Sequence, residues 1–171
     1  MRQNNRYTAA ALAVALIGGG LVGLTGDPAP ANYDDRKGLE GNIGKPYQDV
    51  GGVWTDCFGN TKNVRAGFVR SEAECRALLG GEADRISGVI DRNVGREIPP
   101  LTKAAFISFQ YNVGDGAMLR STLFRKAKAG DFAGACEELK KWVFVKGKFS
   151  RGIANRRGVE YAVCVSGLQK E

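Results

Sequence analysis

The sequence predicts an α+β fold, in which a small antiparallel sheet subdomain precedes a larger helical subdomain and a weakly apolar transmembrane helix stands at the N-terminus. Residues 45–69 alternate short apolar runs with turn residues, which is the pattern of a small twisted sheet with tight glycine turns. From Ser71 onward the apolar residues follow a helical period instead. A cleft between the two subdomains is the natural place for a site.

The N-terminal segment is basic at first and then uncharged over residues 7–26. A helix of about 20 residues spans a bilayer, and positive charge before it predicts export of the rest of the chain. The anchor is weak, because five glycines and five alanines contribute little apolar area. Residues 29–31, Ala-Pro-Ala, resemble a cleavage site, so these residues alone slightly favour a cleaved signal peptide over an uncleaved anchor. Residues 27–35 are interpreted as a polar linker.

Local signals mark the ends of several helices in the exported part. A short helix is predicted through Glu40, with Gly41 as its C-terminal cap. Ser71 and Glu74 have the spacing of a capping box and begin another helix. Further helices are predicted near residues 82–94, 101–112, 117–129, 131–143 and 152–165.

The composition excludes several chemistries. The 171 residues contain no histidine, which removes Ser-His-Asp and Cys-His nucleophile systems and the common zinc sites. Acid–base work therefore falls first to carboxylates. The net charge of +7 resides in residues 100–171, which have thirteen basic and six acidic side chains. A basic C-terminal half favours an anionic polymer or an anionic lipid as a binding partner. Because no nucleic-acid-binding motif accompanies the charge, nucleic acid is not expected as a partner.

Cysteine usage agrees with export. The four cysteines, at positions 57, 75, 136 and 164, form an even set in a chain with an export signal, which indicates an oxidising compartment. Two disulfides with three possible connectivities are compatible with this count. No CxxC motif is present, and neither a metal nor a cofactor is expected.

A pair of carboxylates stands among glycines and aromatics in residues 38–55. Cleavage of a glycosidic bond needs a proton for the leaving oxygen and a carboxylate that assists attack at the sugar carbon. Glu40, at the end of a helix beside Leu39, would be partly buried, which favours its protonated form. Asp49 lies in a polar turn, and the Thr55 hydroxyl would lie one strand on, where it can hold a water. Acid pairs around a turn are common on protein surfaces, so the spacing alone is weak evidence.

The order and spacing of these residues resemble those of a known family. Glu40, eight residues, Asp49, five residues and Thr55 match the Glu-x8-Asp-x5-Thr catalytic pattern of the T4-type phage lysozymes. Further similar segments are PYQDVGGVWT, FQYNVGDG at 109–116, STLFRKAKAGDF at 121–132 and GIANRR at 152–157. The similarity covers roughly residues 33–168. With the weak N-terminal segment, the chain resembles the signal-anchor-release endolysins of lambdoid phages. This resemblance favours the uncleaved anchor over the cleaved signal peptide that the N-terminal residues alone slightly favoured.

The resemblance implies a lysozyme-like fold, a signal-anchor-release segment and linker over residues 1–31 and a catalytic domain over residues 32–171. Glu40 would be the general acid, and Asp49 with Thr55 would position and activate the attacking water. Other residues that the resemblance places in supporting or glycan-binding positions are Tyr111, Asn112, Thr122 and Arg156, although Arg157 is close enough to compete with Arg156.

The sequence also departs from the family. Relatives often have a histidine shortly after the catalytic threonine, where Phe58 and Asn60 occur here. If the chain has the fold that this resemblance implies, the favoured disulfides are Cys57–Cys75 and Cys136–Cys164. The anchor contains no cysteine, so thiol exchange with the anchor is not available as a switch, and departure of the anchor from the membrane is implied instead.

The function implied by the resemblance is a muramidase. It would hydrolyse the β-1,4 bond between N-acetylmuramic acid and N-acetylglucosamine in peptidoglycan, with inversion. The monomeric chain would be held in the host inner membrane by residues 7–26, with its catalytic domain in the periplasm, until a holin or pinholin depolarises the membrane. The alternatives are a secreted lysozyme with a cleaved signal peptide, a lytic transglycosylase and a non-catalytic peptidoglycan-binding protein.

Overall fold

The computed structural model describes residues 8–19, 43–49 and 52–169. Within them the chain forms seven helices and two antiparallel strand pairs. The helices are α1 Ala9–Gly18, α2 Glu72–Val94, α3 Pro100–Val113, α4 Asp115–Arg120, α5 Thr122–Ala129, α6 Phe132–Leu139 and α7 Arg151–Leu168. The strands are β1 Ile43–Gln48, β2 Trp54–Cys57, β3 Phe144–Val145 and β4 Lys148–Phe149.

Helix α3 forms the centre of the hydrophobic core. It begins at Pro100, directly after Pro99 and one residue before the predicted start, because proline suits the first turn of a helix, where its missing N–H needs no intrahelical partner. Helices α1, α2 and α7 pack around it. The α3 residues in this core include Ala104, Ala105, Phe106, Ile107 and Phe109, none of which is exposed.

Helix α1 begins at the N-cap Thr8, whose hydroxyl accepts a hydrogen bond from the amide of Ala11. It packs against α2 and α3, and Leu16 and Ile17 are completely buried. The predicted apolar span over residues 7–26 is therefore described only in part, and its described part lies in the domain core. Among the helices of the described residues, none is both long enough and apolar enough to cross a membrane. The predicted boundary at residue 32, and Glu40 with its short helix, lie outside the described residues.

The first sheet is smaller than predicted. Strands β1 and β2 pair antiparallel, with Tyr47 opposite Thr55. The prediction of further sheet structure up to residue 69 is wrong, because only an isolated bridge between Asp56 and Asn60 follows β2, and none of the residues 61–70 forms a strand. Arg70 donates to the Asp56 carboxylate at 2.7 Å and to the carbonyl of Asn63 at 3.0 Å, which ties the loop back onto β2.

Helix α2 is one continuous helix, whereas the sequence predicted a second helix near residues 82–94. The predicted capping box is confirmed, since Ser71 and Glu74 bond reciprocally. Gly80 and Gly81 disfavour the helix, but a single buried stripe runs through it and outweighs their cost. The stripe consists of Cys75, Leu79, Ala83, Ile86, Ile90 and Val94.

The region predicted as one helix over residues 117–129 is two helices. Ser121 is extended, with φ −72° and ψ 153°, and its hydroxyl accepts from the amide of Phe124, so it begins α5 as an N-cap. The helix predicted over 131–143 ends at Leu139, and the chain then forms the β3–β4 hairpin, which the sequence analysis missed. Helix α7 matches the prediction near 152–165 and extends it at both ends.

Two disulfides cross-link the fold, and both have the pairing that the family resemblance favoured. Cys57–Cys75 joins the end of β2 to α2, and Cys136–Cys164 joins α6 to α7. The first disulfide thus ties the sheet subdomain to the helical one, while the second lies within the helical subdomain.

Candidate active site

A cavity of about 210 Å³ lies between the sheet subdomain and α3. It brings together four of the residues that the sequence analysis selected, namely Asp49 and Thr55 from the sheet side and Tyr111 and Asn112 from α3. The described residues that line it also include Tyr47, Gly59 and Thr61. The expected cleft between the two subdomains is therefore present, with acid, hydroxyl and amide groups around it.

Asp49 is positioned by the turn that joins β1 to β2. Its carboxylate accepts a hydrogen bond from the amide of Val53 at 2.9 Å, and its own amide donates to the carbonyl of Val53 at 3.0 Å. The carbonyl of Asp49 accepts from the amide of Gly52, which has φ +78°. A left-handed residue is needed to close this turn, so the glycine here helps to fix the carboxylate at the cavity.

Thr55 lies in β2 and faces the same cavity, with 4% of its surface exposed. Its hydroxyl donates to the carbonyl of Val53 at 3.1 Å. Because that donor is engaged, the hydroxyl oxygen is oriented to accept a hydrogen bond from a ligand or a water. Asp49 and Thr55 therefore both hydrogen-bond to Val53, and the short turn sets their relative position.

Tyr111 and Asn112 close the cavity from the helical side. The Tyr111 hydroxyl donates to the carbonyl of Phe58 at 2.9 Å, which joins α3 to the segment after β2. The Asn112 amide oxygen accepts from Arg157 at 2.5 Å. Arg157 is itself buried and also donates to the carbonyl of Trp142. The side chain of Asn112 is thus oriented by an arginine that the rest of the core holds in place.

Glu160 organises this cluster from inside the core. It is completely buried and accepts hydrogen bonds from Arg157 at 2.5 Å, from Arg156 at 3.0 Å and from the Ser108 hydroxyl at 2.7 Å. A buried carboxylate needs such partners, since leaving it uncompensated would cost several kcal/mol. The sequence analysis missed Glu160. Its spacing of three and four residues from the two arginines, on one helix face, is the signal that identifies it.

The remaining selected residues are placed differently. Arg156 is buried on α7 and bonds Glu160 and Ser108, so it belongs to the cluster beneath the cavity. Thr122 is the first residue of α5 and is not among the described residues that line the cavity. Glu40 lies outside the described residues.

A second cavity, of about 350 Å³, adjoins the first and shares Gly59, Thr61 and Tyr111 with it. Glu82 lines it and accepts hydrogen bonds from Arg85 and Lys62. These bonds, above all the one from Arg85, hold the pKa of Glu82 below its ordinary value. Glu82 therefore stays ionised near neutral pH and is unsuited to donate a proton there. In the described part of the chain, no group of three metal-binding side chains is close enough to hold a metal ion.

Known proteins similar to this chain identify its family and its fold. The phage lysozyme family model matches residues 37–160. The SAR-endolysin of bacteriophage PS119 is 41% identical over 159 residues, covering 91% of this chain and 93% of the relative. The SAR-endolysin of Enterobacteria phage PA-2 is 39% identical over 158 residues, covering 91% and 94%. Among solved structures, the muramidase domain of SpmX from Asticaccaulis excentricus superimposes with a TM-score of 0.74 at 21% identity, covering 94% of this chain and 99% of that chain. That similarity shows the lysozyme-like fold.

A small sheet and a helical subdomain that enclose a cleft with an acid, a hydroxyl and an amide define a glycoside hydrolase of the lysozyme class. This chain belongs to the phage lysozyme family. The family assignment agrees with the resemblance seen in the sequence.

Proposed function

We propose that this chain is a phage endolysin that hydrolyses the β-1,4 bond between N-acetylmuramic acid and N-acetylglucosamine of peptidoglycan, with inversion at the anomeric carbon. The observation that carries the proposal is the placement of Asp49 and Thr55 in one cavity, opposite Tyr111 and Asn112. An inverting reaction needs a carboxylate that activates water on one face of the sugar and an acid on the other.

Asp49 would act as the general base and Thr55 would hold the water. As the water attacks the anomeric carbon, its proton passes to Asp49 and its hydroxide forms the new bond. The bond to the leaving sugar breaks, and Glu40 would donate its proton to the departing oxygen. The turn that ties Asp49 to Val53 and the strand that contains Thr55 support this division of roles, because they hold the base and the water-binding hydroxyl on the same wall.

Asn112 would bind the glycan. Its amide oxygen is held by Arg157, so the Nδ2 group is the part of the side chain that can donate to a sugar hydroxyl or acetamido carbonyl. Tyr111 would shape the other side of the cleft while bonded to Phe58. Arg156 and Glu160 would act by holding Arg157 and α3 rather than by touching substrate, and Thr122 is proposed as a more distant glycan contact.

The reaction is tested on purified peptidoglycan with the full chain after release from membranes. Wild type should produce new reducing N-acetylmuramic acid ends, first as the α-anomer, and both Glu40→Gln and Asp49→Asn should abolish them. Asp84→Asn is the matched control, because Asp84 is an exposed acid on α2 and should leave the rate unchanged. Anhydro ends would instead identify a lytic transglycosylase. Wall binding without cleavage by wild type would identify a non-catalytic binding protein.

The N-terminal segment would regulate this activity. We infer that residues 1–31 tether the chain to the host inner membrane, that residues 32–171 supply the catalytic machinery in the periplasm, and that the released chain is a monomer. Leu16 and Ile17 support the inference, since they are buried between α2 and α3 and cannot contact lipid at the same time. The tethered chain would lack α1 in its core and would be inactive until a holin or pinholin depolarises the membrane.

Membrane fractionation tests this topology. Before depolarisation the full chain should pellet with inner membranes, and after addition of a protonophore it should appear in the soluble periplasmic fraction with its mass unchanged. A mature N-terminus at Asn32 would overturn the uncleaved anchor and support a secreted lysozyme with a cleaved signal peptide.

A further inference from the structure

The β3–β4 hairpin presents an apolar pair to solvent. Phe144 and Phe149 are directly opposite each other in the register, so their side chains lie on one face of the hairpin. Their rings meet edge to face with centroids 6.2 Å apart. They are 63% and 62% exposed, and Val145 is 48% exposed. Contact between the two rings makes this a continuous apolar surface rather than a scattering of single residues.

The hairpin is well defined in spite of its exposure. Lys146 and Gly147 form its turn with φ values of 48° and 76°, the left-handed conformation that matches the twist of a two-residue hairpin loop. At its base the amide of Ser150 donates to the carbonyl of Val143 at 2.9 Å. The ring of Trp142 packs edge to face on the core residue Phe109. The exposed rings are therefore held away from the core by ordered structure.

Basic residues lie next to the two phenylalanines along the chain, with Lys148 opposite Val145 in the register and so on the other face of the hairpin. Lys146 and Lys148 lie in the hairpin itself, and Arg151 begins the helix that follows. All three are exposed, and among the described residues no ion pair is formed by any of them. The nearest acids before the hairpin, Glu137 and Glu138, are already paired with lysines. The nearest acid after it, Glu160, is buried and paired with Arg156 and Arg157. The hairpin thus combines exposed aromatic rings with uncompensated cations.

We propose that the β3–β4 hairpin docks on a membrane surface that contains anionic phospholipid. Phe144 and Phe149 enter the boundary between headgroups and acyl chains, while Lys146, Lys148 and Arg151 contact the lipid phosphates. Rings that bury in the interface beside basic side chains are the combination that binds peripheral segments to anionic bilayers. The inference goes beyond the proposed function, because the cleavage chemistry does not use this surface.

Two other occupants fit the hairpin less well. A stable protein partner needs about 800 Å² from each side, and two strands of two residues offer much less. A glycan is recognised by hydrogen bonds to its hydroxyl groups as well as by stacking, and the sequence VFVKGKF over 143–149 contains no amide, carboxylate or hydroxyl side chain. A lipid surface needs only apolar insertion and phosphate contact, which are what this segment supplies.

Vesicle binding tests the proposal with the full released chain. The probes are vesicles of phosphatidylcholine with one-third phosphatidylglycerol and vesicles of phosphatidylcholine alone, assayed by co-sedimentation. The double variant Phe144→Ser/Phe149→Ser should lower the partition coefficient on the anionic vesicles about tenfold or more. Lys146→Gln/Lys148→Gln should lower it about fivefold for each lysine removed. Circular dichroism should show both variants folded, because all four side chains are exposed.

The matched control is Phe68→Ser/Val69→Ser, since these residues are 50% and 60% exposed in the segment before α2. This variant should bind as wild type does, which shows that removal of exposed apolar side chains elsewhere does not lower binding. Equal vesicle binding by wild type and the Phe144→Ser/Phe149→Ser variant would overturn the proposal. If the Phe144→Ser/Phe149→Ser variant lost binding to purified sacculi but still bound vesicles, that would also overturn the proposal and assign the hairpin to the wall.

A label gives an independent measurement. All four native cysteines are in disulfides, so Val145→Cys provides a single thiol for an environment-sensitive fluorophore. Its emission should shift to the blue on anionic vesicles but not on phosphatidylcholine alone. An unchanged spectrum on vesicles that bind the protein would overturn the proposal.

Discussion

The Tyr111 hydroxyl donates a 2.9 Å hydrogen bond to the carbonyl of Phe58 and so joins the central helix α3 to the segment after β2. Phe58 is 1% exposed and belongs to the buried cluster formed with Ile17 of α1 and Leu79 of α2. Three helices and the sheet subdomain thus meet around one residue at the edge of the cleft.

Tyr111→Phe removes this hydrogen bond and keeps the ring. We expect the free energy of unfolding to fall by about 1 kcal/mol, the usual net value of one hydrogen bond, and kcat/KM on peptidoglycan to fall severalfold because the two walls of the cleft lose a connection. Urea unfolding and turbidity clearing measure the two effects. Tyr161→Phe, a tyrosine whose hydroxyl bonds Glu137 on the surface, is the control and should leave kcat/KM unchanged. An equal loss of activity in both variants would contradict the role of Tyr111.

Thr55→Val replaces the hydroxyl by a methyl group of similar size. We expect kcat to fall about a hundredfold, because the water would no longer be held against Asp49. Thr55→Ser, which restores the hydroxyl, should recover most of the rate. Initial rates of reducing-end release report both. If valine and serine at this position reduced the rate alike, packing rather than the hydroxyl would account for the loss.

Leu16→Ala tests the contribution of α1 to the folded domain. Leu16 is completely buried, so the substitution leaves a cavity and should lower the free energy of unfolding of the released chain by about 3 kcal/mol. Leu119→Ala is the matched control, because Leu119 is 41% exposed and should cost less than about 1 kcal/mol. Denaturant unfolding gives both values. Equal stabilities would mean that α1 does not pack in the core of the released chain in solution.

The two disulfides differ in their relation to the site. Cys136–Cys164 closes a separation of 28 residues, so Cys136→Ala/Cys164→Ala should cost about 3.5 kcal/mol through the unfolded state. Cys57→Ala/Cys75→Ala should cost a similar amount and also lower kcat/KM, since Cys57 directly precedes Phe58 and both cysteines line the larger cavity. Activity assayed well below the melting temperature separates the two effects. A loss of activity in the Cys136→Ala/Cys164→Ala variant under those conditions would contradict the distinction.

Asp115 links stability to pH. The hydrogen bonds from Arg85 lower the pKa of Asp115 from about 3.8 to about 2. A lowered pKa in the folded state means that the contribution is fully present above the unfolded value and is lost as pH falls from about 4 to about 2. Because 41% of the Asp115 side chain is exposed, we expect less than about 1 kcal/mol. Urea unfolding of wild type and Asp115→Asn should show a gap at pH 5 that closes toward pH 2, and a constant gap would contradict the linkage.

Much of the fold could be predicted from local chemistry. The Ser71–Glu74 capping box and the Pro99-Pro100 pair at the start of α3 are local signals, and the structure has helices where they predict them. The continuity of α2 through Gly80 and Gly81 could not be predicted, because it depends on packing of a stripe whose neighbours are remote in sequence. The β3–β4 hairpin was missed because its strands have only two residues each, and two residues are too few to show the alternating pattern of a strand.

The sequence by itself determined the type of residues available for chemistry and the family. With no histidine, acid–base work was left first to carboxylates, and the spacing of Glu40, Asp49 and Thr55 pointed to lysozymes. Only the tertiary structure decided which side chains share a cavity. Arg157 orients Asn112 across a separation of 45 residues and is itself held by Glu160. Glu160 also accepts a hydrogen bond from Ser108 of α3, 52 residues away along the chain. Such contacts form because buried charges must find partners wherever the packed helices place them, and a spacing along the chain does not contain that information.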